Sequence, residues 1–198
     1  MKNGFLALML AGICLIPSLS QADTLYLSGN LGGSEPNDSQ YIVNGTKYNN
    51  AISYKEGVAY GGSIGLRGDG YRLEAAYGHQ QNKADKFFIT TPAASDDKIS
   101  ISSYMVNGYL EMDQDSSIDP YVMTGIGMAN MKTSGPTMIP ANSTVFAWQF
   151  GIGAGIKVMD HLLIDLGFRY LKPSNYTADN IKVRSSIKNL MTGVIYYF

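Results

Sequence analysis

Apolar and polar residues alternate with period 2 along most of the chain, and the last such stripe reads Leu190, Thr192, Val194, Tyr196 and Phe198. Alternation of this period sets successive side chains on opposite faces of an extended strand. Seven earlier segments share it. Thr24 to Gly32 sets Leu25, Leu27 and Leu31 against Tyr26, Ser28 and Asn30, and Val58 to Arg67 sets Val58, Tyr60, Ile64 and Leu66 against Gly61, Ser63, Gly65 and Arg67. In the third, Tyr71, Leu73, Ala75 and Tyr77 oppose Arg72, Glu74 and Gly78, and in the fourth, about Ile101 to Met112, Tyr104, Val106 and Leu110 oppose Met105, Asn107, Tyr109 and Glu111. The fifth, Pro120 to Met131, carries apolar residues in both parities, so its faces stay unassigned. The sixth, Phe146 to Val158, and the seventh, Leu162 to Leu171, are the most regular.

Connections alternate as strictly as the strands. They are short at Gly68-Asp69-Gly70, Asp113 to Asp119 and Met159-Asp160-His161, and long and polar at about 33–57, 80–99, 132–143 and 172–185. Eight strands joined in this way predict an all-β fold, an eight-stranded antiparallel up-and-down transmembrane β-barrel with tight periplasmic turns and long outer loops. Segments of nine or more residues are long enough to cross a bilayer when tilted.

Charge placement favours a membrane over water. The larger apolar face of the clear strands is free of Lys, Arg, Asp and Glu through its middle, whereas Arg67, Arg72, Glu74, Glu111, Lys157, Asp165 and Arg169 all fall on the other face. Arg or Lys at mid-depth on a lipid face costs ~2–4 kcal/mol. A soluble β-sandwich with an adhesive surface is the alternative, and a soluble barrel of lipocalin type would carry charge outside. Lys188 departs from the rule by parity, ten residues above Phe198, where it can snorkel to headgroups. Aromatics sort by height into two girdles, Tyr71, Tyr196 and Phe198 low and Tyr77, Phe146, Trp148 and Tyr170 high.

The segment 1–22 reads as a secretory signal peptide: Lys2 starts it, Phe5 to Ile16 is apolar, and Ser20-Gln21-Ala22 fits a cleavage site. The domain then spans 23–198. Cys14 lies within the signal core, so the processed chain has no thiol or disulfide chemistry. The formal charge of -1 becomes about -2 once Lys2 is removed, which gives no electrostatic case for nucleic acid.

An eight-stranded barrel is only wide enough for its interior to fill with side chains. Small inward residues (Gly61, Gly65, Gly151, Gly153, Gly155, Gly167) leave room for Arg67, Arg72, Glu74, Glu111, Lys157, Asp165 and Arg169, which are expected to form one charged plug. A polar pathway for solutes is the alternative.

The signal peptide, Leu25-Tyr26-Leu27-Ser28-Gly29, Pro120-Tyr121-Val122, Phe150 to Gly155, Leu166-Gly167-Phe168-Arg169-Tyr170 and Tyr196-Tyr197-Phe198 together resemble the small outer-membrane β-barrels. The chain looks most like the opacity-type and surface-antigen (OmpA-like) barrels of Gram-negative bacteria. That resemblance implies export, periplasmic chaperones, and insertion into the outer membrane, among lipid and lipopolysaccharide, by the barrel-assembly machinery. It also implies that Leu190, Val194, Tyr196 and Phe198 are the assembly signal. No peptidoglycan-binding domain is expected after strand eight.

Little in the chain suggests chemistry. Residues two from His79 and His161 are Tyr77, Gln81, Met159 and Leu163, not the serine that a lipid A deacylase on this fold would want. No metal spacing, phosphate loop or nucleotide fingerprint appears, so no cofactor is expected. The long loops hold Tyr41, Ile42, Val43, Tyr48, Tyr54, Met138 and Ile139 among polar residues. Exposed apolar residues there suit contact with a host or neighbouring-cell protein or glycan, or they pack on one another. The expected function is therefore a structural or adhesive surface protein. A narrow pore and a lipid-modifying enzyme are the alternatives.

Overall fold

In the computed structural model, residues 24–37, 39–43, 46–87, 91–92, 96–112, 117–136, 141–178 and 181–198 are described. The expected signal peptide lies outside them. Among the described residues thirteen strands form: β1 (Thr24–Pro36), β2 (Ser39–Val43), β3 (Thr46–Tyr54), β4 (Gly57–Gly68), β5 (Tyr71–Phe87), β6 (Thr91–Pro92), β7 (Lys98–Glu111), β8 (Ile118–Ser134), β9 (Ala141–Met159), β10 (Leu162–Pro173), β11 (Tyr176–Ala178), β12 (Ile181–Arg184) and β13 (Ile187–Tyr197). Eight of them close a ring in the order β1–β4–β5–β7–β8–β9–β10–β13 and back to β1, every pair antiparallel. Closure leaves no sheet edge along the wall, which a chain surrounded by hydrocarbon requires.

The wall follows the period-2 pattern residue by residue. Leu27, Leu31, Ile64, Leu73, Val106, Ile126, Ile152, Leu166, Leu190 and Val194 are exposed on the outside, while Tyr26, Met105, Tyr109, Leu163, Met191 and Ile195 are buried within. The faces of the fifth predicted strand are now assigned: in β8, Ile118, Val122 and Ile126 point out, and Asp119, Tyr121, Met123 and Met131 point in. Its inward apolar residues obscured the alternation. Around the outer face run a high set of rings (Tyr77–Tyr104, Trp148–Phe150–Tyr170) and a low one (Tyr196–Phe198, with His161 beside Tyr196). Among the described residues, the charged side chains that face outward on the eight strands (Glu35, Lys83, Asp85, Lys98, Lys132, Lys172 and Lys188) all lie towards the loop end, above the high rings.

Two of the short connections are as expected, at Asp69-Gly70 and Asp160-His161; in the third, 113–116 lie outside the described residues and Ile118 and Asp119 belong to β8. Gly68 pairs with Tyr71, so Asp69-Gly70 is a two-residue turn, with Gly70 at φ 76°. Aspartate-glycine suits a hairpin because the turn needs positive φ that glycine adopts without a Cβ clash.

The loop end departs from the expected open loops. β5, β8 and β9 run 17, 17 and 19 residues, well beyond the girdle, against 12 for β4 and β10. The upper part of β5 alternates buried Gln80 and Asn82 with outward Gln81 and Lys83, a polar-on-polar pattern that hydropathy does not reveal. From this extension the sheet continues sideways through β3, β2, β12 and β11. The first and fourth long loops are thereby hydrogen-bonded to each other, with Val183 opposite Tyr41. One signal in the sequence marks the β2–β3 hairpin: Asn44-Gly45 stands between Val43 and Thr46, which are paired.

Candidate functional site

The lumen holds three layers, built from inward residues of all eight wall strands. At the turn end, Arg67 of β4 and Arg72 of β5 converge on Glu111 of β7. Arg67 Nε donates to Glu111 Oε2 at 2.7 Å and Arg67 Nη2 to Asp119 Oδ2 at 2.8 Å, while Arg72 Nε lies 2.7 Å from Glu111 Oε1. All four side chains are buried or nearly so. The guanidinium of Arg72 also sits over the Tyr109 ring at 4.3 Å and the Tyr121 ring at 5.1 Å, and that of Arg67 over Tyr197 at 5.1 Å. Planar, delocalised guanidinium is suited to this double engagement.

The middle layer is organised by Glu74. Its two oxygens accept from four donors: Tyr26 Oη at 2.9 Å and Ser63 Oγ at 2.7 Å on one, Asn107 Nδ2 and Tyr109 Oη, both at 2.7 Å, on the other. Gln149 Nε2 donates in turn to Asn107 Oδ1 at 2.6 Å. On the far wall Tyr121 Oη donates to Asp165 at 3.2 Å, and Arg169 Nη2 stands 3.9 Å from the same carboxylate. Charged acceptors with several neutral donors are a stable way to hold a buried carboxylate. Glycine makes the rings fit: a methyl added at Gly65 would strike the Tyr26 ring, and one at Gly153 or Gly167 the Tyr121 hydroxyl.

Above the charged residues, the upper layer is built largely from apolar side chains. Ile99, Ile101, Met105, Ala129, Met131, Ala147, Leu171 and Ile187 form one buried cluster, with Val145 and Tyr54 packed against it. Between this cluster and Glu74 lies a cavity of about 40 Å³, lined by Asn30, Gln80, Gln149, Arg169 and Asn189 among others. That volume suits a few water molecules. Gln80 Nε2, Arg169 Nε and Asn189 Oδ1 are buried without a protein partner there.

Six of the seven charged residues expected inside are therefore in the lumen: Arg67, Arg72, Glu74, Glu111, Asp165 and Arg169. Lys157 is not among them. It is exposed at the turn end of β9, where the pairing with β10 shifts register between Leu162 and Leu163, so it sits at the rim. Asp119 and Tyr121 take places the sequence left unassigned, and Tyr26, Tyr109 and Asn107, placed on the inner face by periodicity, join the network as hydrogen-bond donors. Neutral aromatic and amide side chains carry no segregation signal, which is why periodicity shows their face and not their partners.

Leu190, Val194, Tyr196 and Phe198 are all exposed on the outer face. Tyr41, Ile42, Val43 and Tyr48 lie on β2 and β3, and Met138 and Ile139 lie outside the described residues. Tyr54, at the end of β3, is half-buried and packs against the apolar cluster.

Two cross-strand details bear on chemistry. His79 Nδ1 lies 3.0 Å from Ser102 Oγ on the outer face, a neighbour that spacing along the chain does not disclose. The Tyr60 ring lies 5.3 Å from the imidazole, and among the described residues no ion pair joins His79 to a carboxylate that would orient it as a general base. Among the described residues, no group of three His, Cys, Asp or Glu side chains converges as a metal site.

Comparison with known proteins agrees with this architecture. Residues 5–188 match the outer membrane protein beta-barrel domain. The chain is 26% identical to the outer membrane protein PagN of Salmonella typhimurium over the full length of both. Among solved structures it resembles Neisserial surface protein A (NspA), with a TM-score of 0.64 at 14% identity, covering 90% of this chain and 100% of that one. It also resembles OprG of Pseudomonas aeruginosa, with a TM-score of 0.59 at 12% identity, covering 89% and 97%. A closed eight-stranded wall, uncharged between two aromatic girdles and matched to that domain over nearly its whole length, makes this chain a member of the outer-membrane β-barrel family, seated in the Gram-negative outer membrane.

Proposed function

We propose that this is a structural and adhesive surface protein, whose lumen is sealed and whose loop-end sheet contacts a protein or glycan on a host or neighbouring cell. One observation carries the reading: the first and fourth loops are built into a sheet continuous with β5, raised above the girdle. A solute pathway does not need such a construction. A binding face does, because ordering the loops beforehand lowers the entropic cost of association. The seal is supported by two barriers in series, the Arg67–Arg72–Glu111–Asp119 cluster and the apolar cluster above it. Outward Leu190, Val194, Tyr196 and Phe198 serve as the stripe read by the barrel-assembly machinery after periplasmic chaperones deliver the chain.

The test is replacement of Ser39–Asn50 by a short Gly-Ser linker. The variant should keep the mobility shift on heating that marks a folded barrel, and lose binding of expressing bacteria to cultured cells. Unchanged binding by a folded variant would remove the adhesive reading. Planar-bilayer conductance of the unmodified protein above a blank would remove the sealed lumen.

A further inference from the structure

Three neighbouring strands, β5, β7 and β8, carry on their outer face a ladder of side chains ordered by chemistry. Lowest is the high girdle, where Tyr77 pairs with Tyr104, their rings 5.3 Å apart, and Tyr104 with Met128. The next row is His79, Ser102 and Asn130, with Thr144 of β9 beyond. Above it come Gln81, Ser100 and Lys132, with Asn142 beyond, and above that Lys83 directly opposite Lys98. Asn130 Nδ2 donates to Asn142 Oδ1 at 2.8 Å and to Thr144 Oγ1 at 2.9 Å, and His79 meets Ser102, so the middle rows are held in place.

Like charges set directly across a strand pair repel, and none of these three lysines is ion-paired among the described residues. Among the described residues the nearby acidic groups are Glu56, exposed Asp96, buried Asp97, and Asp85, which is engaged by Lys55 at 3.4 Å. On the opposite wall the arrangement differs, since Lys188 of β13 stands across from Glu35 of β1. Six residues separate Tyr77 from Lys83 along β5, about 20 Å of strand and, at the tilt of such barrels, roughly 15 Å of height. Aromatic, then hydroxyl and amide, then cationic is the profile complementary to acyl chain, then sugar, then phosphate.

We propose that the outer face of β5, β7 and β8 binds one molecule of the phosphorylated glycolipid of the outer leaflet, with Lys83, Lys98 and Lys132 engaging its inner-core phosphates and Ser100, Ser102 and Asn130 its sugar hydroxyls. The lysines relieve their mutual repulsion on the ligand, and the site lies below the sheet formed by β2, β3, β11 and β12, so it is separate from the adhesive face.

The experiment uses the folded protein in zwitterionic detergent, with purified rough lipopolysaccharide that retains its phosphorylated heptose inner core as the probe and native mass spectrometry as the readout. Each lysine near an anionic surface contributes roughly fivefold in affinity, so Lys83→Gln/Lys98→Gln/Lys132→Gln should bind at least tenfold more weakly. Lys55→Gln/Lys172→Gln/Lys188→Gln should change binding by about twofold at most, and dephosphorylated lipopolysaccharide should bind the unmodified protein as weakly as it binds the first triple variant. Full affinity in the first triple variant, equal loss in the second, or indifference to phosphate would each overturn the site. Heat-modifiable mobility confirms that each variant is folded, and Lys98→Gln alone, at the centre of the ladder, should still show a severalfold loss if the triple variant does not assemble.

Discussion

Arg72 Nε lies 2.7 Å from Glu111 Oε1, deep at the turn end of the lumen, where neither side chain is more than 3% exposed. Glu111 gives its second oxygen to Arg67, so one carboxylate holds two guanidinium groups from adjacent strands. A buried pair of this kind contributes little net stability over an apolar substitute, but losing one partner strands the other charge. Glu111→Gln should therefore destabilise the barrel by about 3–5 kcal/mol, measured by urea titration of folding into lipid vesicles. The exposed pair Lys55–Asp85 is the internal control. Lys55→Gln should change stability by less than about 1 kcal/mol. Equal effects at the two sites would show that the Glu111 cluster is solvated.

Tyr121 and Gly167 form a size-matched pair across the lumen. The Tyr121 hydroxyl occupies the space a Cβ at Gly167 would need, while the Ile152 carbonyl would stand at an ordinary contact distance of 3.6 Å. Gly167→Ala should cost about 1–3 kcal/mol through overpacking. Tyr121→Phe alone loses the hydrogen bond to Asp165, at about 1–2 kcal/mol. Combined, the two should be less harmful than their sum, because the phenyl ring no longer reaches the added methyl. A double-mutant cycle in the same vesicle assay checks this, and strict additivity would mean that the methyl is absorbed elsewhere.

The wall was legible in the sequence because hydrocarbon outside and polar groups inside impose opposite demands on alternate residues. Leu162 to Leu171 could be oriented from that contrast alone. It failed in β8, where Tyr121, Met123 and Met131 are apolar yet point inward. It failed again above the membrane, where both faces of β5 are polar and Asn82, buried and donating to the Ser34 and Lys55 carbonyls, gives no hydropathy signal. Charge segregation likewise identified Arg67, Arg72 and Glu111 as lumen residues. Which of them touch depends on strand register, set by ring closure, and no local pattern carries that.

On β13, Val194 and Lys188 share one outward face at different heights. Val194 is opposite Gly29 and Ile164 in the middle of the wall, and Lys188 is opposite Glu35 and Tyr170 at the rim. Val194→Arg should destabilise the folded barrel in vesicles by ~2–4 kcal/mol, and Lys188→Arg hardly at all. In cells, the Val194 variant should accumulate as a species that no longer shifts on heating, which gel mobility of outer-membrane fractions measures. Full assembly of Val194→Arg would mean that this face does not meet lipid.

The apolar cluster at the top of the lumen is the stronger of the two barriers to ions, because water and salt both pay a desolvation penalty there that a charged layer would relieve. Met131 and Leu171 belong to it and are 2% and 3% exposed. Met131→Ala and Leu171→Ala each remove several buried methyl and methylene groups, costing about 2–5 kcal/mol in a close-packed setting. The cavity beside Arg169 and Asn189 already includes Leu171 in its lining, so the truncation enlarges it towards the loop end. The unmodified protein should show no conductance in planar bilayers. The double variant should show small, flickering steps, and Arg169→Gln added to it should change their ion selectivity, since Arg169 lines the cavity that the truncation enlarges. A silent double variant that is folded by gel mobility would place the barrier instead at the Arg67–Glu111–Asp119 cluster, and Arg67→Ala would then be the substitution that opens the lumen.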